Sequence, residues 1–161
     1  MKKEQECCPK FNSKKWEGKT FNWKNKPFLK ETISTLFHIP FPPMIGIKIT
    51  KMWKIANEAK KVSKKKDEVL ILFRDPSAFK SEICLSVTGK IPNAKNTAIS
   101  GKFVSKVFNG NYNDIPKFIK QMDEYLQKES KVAKDYYVHY AYCPKSAKKY
   151  GNNAILLLAK V

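Results

Sequence analysis

Arginine is almost absent from this chain. Arg74 is the only one among 32 basic residues, and lysine supplies the rest. Proteins that read base edges favour arginine, because its planar guanidinium donates two parallel hydrogen bonds. The net charge of +18 therefore points at most to nonspecific nucleic-acid attraction, and no helix-turn-helix, zinc-finger or RNA-binding signature accompanies it. No specific nucleic-acid partner is expected. Long apolar runs are also missing, and none approaches the roughly 18 residues of a membrane-crossing helix. The opening Met1-Lys-Lys-Glu-Gln-Glu-Cys-Cys carries no apolar segment of the secretory kind. The expectation is a cytoplasmic protein with no membrane partner.

Histidine is confined to His38 and His139, with no evident serine or aspartate partner, which argues against a hydrolytic triad. The four cysteines are Cys7, Cys8, Cys84 and Cys143. Cys7 and Cys8 are adjacent, without metal-ligand spacing, and Ser146 stands where Cys143 would need a second ligand. Reduced, packed thiols are the expected state, with no metal and no cofactor.

What is present is organised around residues 100–144. Phe103 to Phe108 is β-branched and aromatic, as strands prefer. Asn109-Gly110-Asn111 is a turn signal, Asn113 or Asp114 suits a helix cap, and Pro116 suits a first helical turn. Ile115, Phe118, Ile119, Met122 and Leu126 then fall on one helical face, and Asp135 to Tyr142 reads as a strand. The same order occurs earlier. Thr35 to Ile39 reads as a strand, Ile45, Ile49, Met52, Trp53 and Ala56 as a helical face, and Glu68 to Arg74 as a strand ending at Asp75-Pro76. Ile83 to Val87 then matches the last strand, Ala154 to Ala159, and Met52 matches Met122.

The expected fold is therefore α+β: two pseudo-symmetric β-α-β-β repeats forming an antiparallel sheet with two helices packed on one face. A single domain over 1–161 is expected, with repeats at 35–90 and 97–161. Residues 1–34 read as an arm of lysine and aromatics, including Trp16 and Trp23, that wraps the domain. Lys145 to Asn153 reads as a basic loop.

Such a duplication, with Gly101-Lys-Phe…Val107-Phe-Asn-Gly-Asn-Tyr112, resembles the GyrI-like small-molecule-binding superfamily, although Asn111 stands where that family's turn carries proline. The motifs Cys7-Cys8-Pro-Lys-Phe11, Phe37-His38-Ile39-Pro40, Lys80-Ser81-Glu82 and Cys143-Pro-Lys-Ser-Ala-Lys-Lys-Tyr-Gly151 resemble a small bacterial branch of it, often labelled only "hydrolase". The resemblance implies an aromatic cleft between the repeats that takes a small planar aromatic or cationic ligand. It also implies sequestration or hydrolysis of planar electrophilic compounds. In that superfamily a buried glutamate usually serves from the second repeat, where this chain has Asn152 and Asn153.

The residues nominated for the site are Trp53, Phe79, Tyr112, Tyr137 and His139 as ligand contacts. Glu82 and Tyr140 are the catalytic candidates. A glutamate in an apolar cleft has a raised pKa and suits a general base. Tyr136, Tyr137, Tyr140 and Tyr142 crowd one short strand, with Tyr137 and His139 on one face and Tyr136 and Tyr140 on the other. A protein-interaction module is the alternative reading, and the pattern does not distinguish monomer from dimer.

Overall fold

The computed structural model describes residues 11–37, 39–40, 42–142 and 144–161. Cys7, Cys8, His38 and Cys143 lie outside the described residues. The chain divides into two compact units, Asn22–Gly101 and Met1–Phe21 with Lys102–Val161. Each is a mixed α and β unit built on antiparallel strands.

In Asn22–Gly101 the longest element is β1 (Lys19–Leu36), which enters from the other unit. Phe37, in a left-handed turn at φ 49°, reverses the chain into β2 (Ile39–Pro40). There follow α1 (Pro42–Glu58), β3 (Ile71–Ser77) and β4 (Lys80–Ser86). β4 lies between β1 and β3, with Thr32 opposite Glu82 on one side and Arg74 opposite Glu82 on the other. Alternation sends Leu29, Ile33, Ile83 and Leu85 to one face. There they pack with Met52 and Ala56 of α1, flanked by Ile45, Ile49 and Trp53. The helix periodicity read from sequence is thus borne out. Lys60, at φ 54°, closes the helix end, and Lys61 N–H donates to Ala56 O at 2.9 Å. The start of β5 (Asn96–Asn109) belongs to this unit, and Lys30 N–H donates to Lys95 O at 2.9 Å just before it.

The other unit continues β5, then α2 (Ile115–Lys128), β6 (Asp135–Tyr140), α3 (Pro144–Tyr150) and β7 (Ala154–Lys160). β7 is the central strand, paired with both β5 and β6, and its residues from Ala154 to Ala159 are buried throughout. Two covered faces explain its unbroken apolar run. On one face Val104, Ile155, Leu157 and Ala159 meet Phe118, Met122 and Leu126 of α2. A 3-10 turn over Tyr112–Asp114 leads into α2, and Asn111 and Asp114 form a capping box across it.

Three expectations need correction. The first strand is not Thr35 to Ile39 but β1, which takes in much of the segment read as a wrapping arm. Leu29, Ile33 and Thr35 alternate as a strand should, but Glu31 holds a buried position between them and disguised the pattern. Asp75-Pro76 does not end its strand; it lies inside β3, where the register with β4 slips. Residues expected as a basic loop include α3, because Ala147 and Tyr150 pack on Ala141, Tyr142 and Ala154.

Gly110 illustrates how tight the turn before α2 is. A Cβ there would sit 2.6 Å from Phe118 Cζ and 2.8 Å from Asp114 Oδ2. Phe118 is stacked on Phe108 at 4.8 Å, and Asp114 accepts the Asn111 N–H, so neither yields freely. Gly110→Ala is expected to destabilise the protein by about 1–3 kcal/mol. Urea unfolding of the two proteins checks this, and an unchanged midpoint would contradict the packing.

Candidate functional site

Two carboxylates stand on opposite faces of the strands of Asn22–Gly101. Glu82 on β4 points away from α1, since its neighbour Ile83 points toward it. Its side chain is only 12% exposed, with Oε1 2.9 Å from Lys30 Nζ and Oε2 3.1 Å from Arg74 Nη1. Lys30 comes from β1 and Arg74 from β3, so both neighbouring strands grip the same carboxylate. Burial by itself raises the pKa of Glu82, but Lys30 and then Arg74 outweigh it and hold the carboxyl below its ordinary value. The raised pKa expected of a base in an apolar cleft is therefore corrected, because cations from both neighbouring strands close on this residue. Cys84 is nearby on the same face. Burial, and next the charge of Glu82, push its thiol up to about 11. It stays protonated at neutral pH, which makes it a poor nucleophile.

Glu31 was missed by sequence reasoning. It lies on β1 on the α1 side, with a side chain 4% exposed. Oε1 is 3.1 Å from Lys51 Nζ, and Oε2 is 3.3 Å from Lys48 Nζ and 3.2 Å from Lys95 Nζ. Lys48 and Lys51 are one helical turn apart on α1, which brings both amines to one point. Burial raises the pKa of Glu31, and the bonds from Lys51, Lys95 and Lys48 more than reverse it. The available signal was a lone acid in a stretch otherwise alternating apolar residues.

The remaining nominated residues fall into separate groups. Trp53 packs on the α1 side, so the strands of its own unit stand between it and the face of Glu82. Phe79 is 59% exposed at the β3–β4 turn, beside Phe37 with ring centroids 5.7 Å apart. In the other unit Tyr137 and His139 share the face away from α2, as alternation requires. Tyr137 meets Phe103 edge-on at 6.0 Å, Phe103 stacks on Phe21 at 5.8 Å, and Phe21 meets Trp16 at 5.8 Å. His139 is buried, 6.1 Å from Phe11. Tyr140 is on the α2 side, 6.1 Å from the exposed Tyr112. There Tyr136 donates to Asp123, and burial together with that bond holds its phenol well above the ordinary range.

The aromatic row Trp16–Phe21–Phe103–Tyr137 draws half its members from the segment read as an arm. Its back is secured by Ser105, whose hydroxyl donates to Trp16 O at 2.5 Å. Beside it Lys106 lies over the Tyr125 ring at 4.5 Å and pairs with Glu17 at 3.7 Å. In Asn22–Gly101 an open polar depression of about 250 Å³ is lined by Lys30, Thr32, Lys95, Asn96 and Thr97.

This arrangement of antiparallel strands with a covering helix in each unit has solved counterparts. The EcmrR C-terminal domain superposes with a TM-score of 0.66 at 9% identity, over 90% of this chain and 96% of that one. An uncharacterized conserved protein from Listeria innocua gives 0.63 at 12% identity, over 90% and 92%. A proposed transcription-regulation protein from Staphylococcus aureus MU50 gives 0.50 at 14%, over 91% and 98%. At these identities the likeness is one of fold. No curated protein matches the sequence. The chain belongs to the family described as Bacterial hydrolase, whose model matches residues 1–161. Among the described residues no helix is long and apolar enough to cross a membrane.

Glu31 and Glu82 both titrate lower when folded than their ordinary 4.5. Their contribution to stability is therefore fully present above the unfolded value and is lost as the pH falls through the folded values. Glu31→Gln removes the carboxylate shared by three lysines, two of them largely exposed, and is expected to cost about 1–3 kcal/mol at pH 7. The gap from wild type should shrink at pH 3. Urea titrations at both pH values test this; a gap independent of pH would count against the ion-paired carboxylate.

Proposed function

We propose that this chain is a GyrI-like, cytoplasmic small-molecule-binding protein that sequesters flat aromatic compounds. In this reading each unit is one copy of a β-α-β-β duplication. The element orders β1-α1-β3-β4 and β5-α2-β6-β7 support it, with β2 and α3 as additions. The observation that carries the binding reading is the aromatic row Trp16–Phe21–Phe103–Tyr137 on the face away from α2. Phe103 is fully buried at the base of the row, and the half-buried Trp16, Phe21 and Tyr137 around it offer a further flat molecule aromatic contacts. Tyr137 and His139 serve as ligand contacts. Tyr112 and Tyr140 stiffen the α2 side of the same strands, while in Asn22–Gly101 Trp53 packs with the core under α1 and the exposed Phe79 lies beside Phe37.

Sequestration is preferred to hydrolysis. Glu82, neutralised by Lys30 and Arg74, is a weak base, and its charge is not available to attract a cationic ligand. Tyr140 is turned toward α2 and engages Tyr112. A carboxylate and a phenol so occupied do not assemble an acid–base pair.

Tryptophan fluorescence titration against planar aromatic compounds, including cyclopropane-bearing electrophiles, tests the proposal, with mass spectrometry of the products. Saturable quenching without turnover is expected. Tyr137→Ala should weaken it about fivefold to tenfold, as loss of one aromatic contact predicts. Trp53→Phe should leave the affinity unchanged. Quenching that ignores Tyr137 would defeat the assignment, and a water adduct that vanishes in Glu82→Gln would make the protein a hydrolase instead.

A further inference from the structure

The polar depression in Asn22–Gly101 has two lysines in its lining, Lys30 and Lys95. Lys30 and Thr32 share the face of Glu82, whose carboxylate Lys30 and Arg74 engage, whereas Lys48, Lys51 and Lys95 engage Glu31, which lies on the α1 side. Among the described residues the lining of the depression includes these two cations and no carboxylate. Thr32, Asn96 and Thr97 complete that lining. We propose that this depression binds a small phosphate-bearing anion, such as a phosphate monoester.

Three features prepare it for that ligand. Each ammonium has three N–H donors. Lys30 directs one toward Glu82 at 2.9 Å and Lys95 one toward Glu31 at 3.2 Å, which anchors both amines and leaves further donors for an incoming oxygen. The backbones of the two lysines are themselves joined, Lys30 N–H to Lys95 O, at 2.9 Å. Asn96 fixes the wall: Nδ2 donates to Ile91 O at 2.7 Å and Ala94 O at 3.0 Å, and Oδ1 accepts the Ile91 N–H at 2.9 Å. An anchored pair of amines binds without first losing side-chain freedom.

Chemistry and size both select the ligand class. Two lysines in the lining, with no carboxylate among the described lining residues, disfavour a cation. A volume of about 250 Å³ is smaller than that of most drug-sized sites and suits a compact group. Lysine binds phosphate as a point charge and does not need the planar fork of arginine. The scarcity of arginine is thus no obstacle to this site, though it is to sequence-specific recognition of nucleic acid. The proposal is independent of the aromatic ligand above, since the two use different side chains. A phosphate titration without any aromatic compound tests it alone.

Calorimetric titration with inorganic phosphate and with glycerol phosphate, at constant ionic strength, provides the test. Saturable binding is expected, stronger for phosphate than for chloride. Lys95→Gln should weaken it about tenfold, the loss expected for a charge-assisted contact. Thr32→Val keeps every charge and should weaken it about threefold to tenfold, which guards against a fold defect in the lysine variant. Lys117→Gln, at an exposed position on α2, should change nothing. Equal losses in Lys95→Gln and Lys117→Gln would mean a diffuse basic surface and overturn the site. So would an oligonucleotide that binds far more tightly than glycerol phosphate, or binding unaffected by Thr32→Val.

Discussion

A strand sends neighbouring side chains to opposite faces, and in each unit a long helix claims one of them. That constraint sorts almost every residue of interest. α1 takes Leu29, Ile33, Ile83 and Leu85, so Lys30, Thr32 and Glu82 must point the other way. α2 takes Val104, Ile155, Leu157 and Val138, so Phe103, Tyr137 and His139 must do the same. The chemistry of the chain collects on the faces the helices leave, because the faces they cover are closed by apolar packing. Glu31 is the exception that shows the rule at work. It occupies a covered position and is accommodated there only because three lysines converge on it.

Lysine has more than one role in this protein. Lys48, Lys51 and Lys95 neutralise a buried acid, while Lys30 shares Glu82 with the only arginine. Lys106 lies across an aromatic ring. The net charge of +18 is thus partly structural. A lysine stem covers apolar surface while its amine reaches an acid or solvent, so a lysine-rich chain can build such networks at many points. Pairing of this kind also removes acids from catalytic duty. A glutamate held by two cations loses the basicity that an apolar pocket would have conferred on it.

Helical faces were legible in the sequence because their period is local. Ile45, Ile49, Met52 and Ala56, and likewise Phe118, Met122 and Leu126, announce which side of each helix is buried. The strand β7 was legible as an unbroken apolar run, and the opposed facing of Tyr137 and Tyr140 followed from alternation alone. The turn at Asn109-Gly110-Asn111 was visible too, through residues suited to a tight reversal and a helix cap. Each of these rests on neighbours within a few positions, where covalent geometry dictates direction.

Partners distant in sequence were not legible. Nothing local says that Lys95 meets Glu31, 64 positions earlier, or that Lys30 and Arg74 meet across Glu82. Nor does it say that Phe21, in a segment read as an arm, stacks on Phe103. β1 escaped for the same reason, because its strand identity depends on β4 supplying hydrogen bonds and α1 covering its inner face. By itself the sequence determined the period of each element, the turn chemistry and the scarcity of acids relative to lysines. The tertiary structure decided which charges meet, and with that the protonation of Glu82 and Glu31. Charge interactions act through space over a few ångströms, so they depend on which strands become neighbours and not on how far apart their residues lie along the chain.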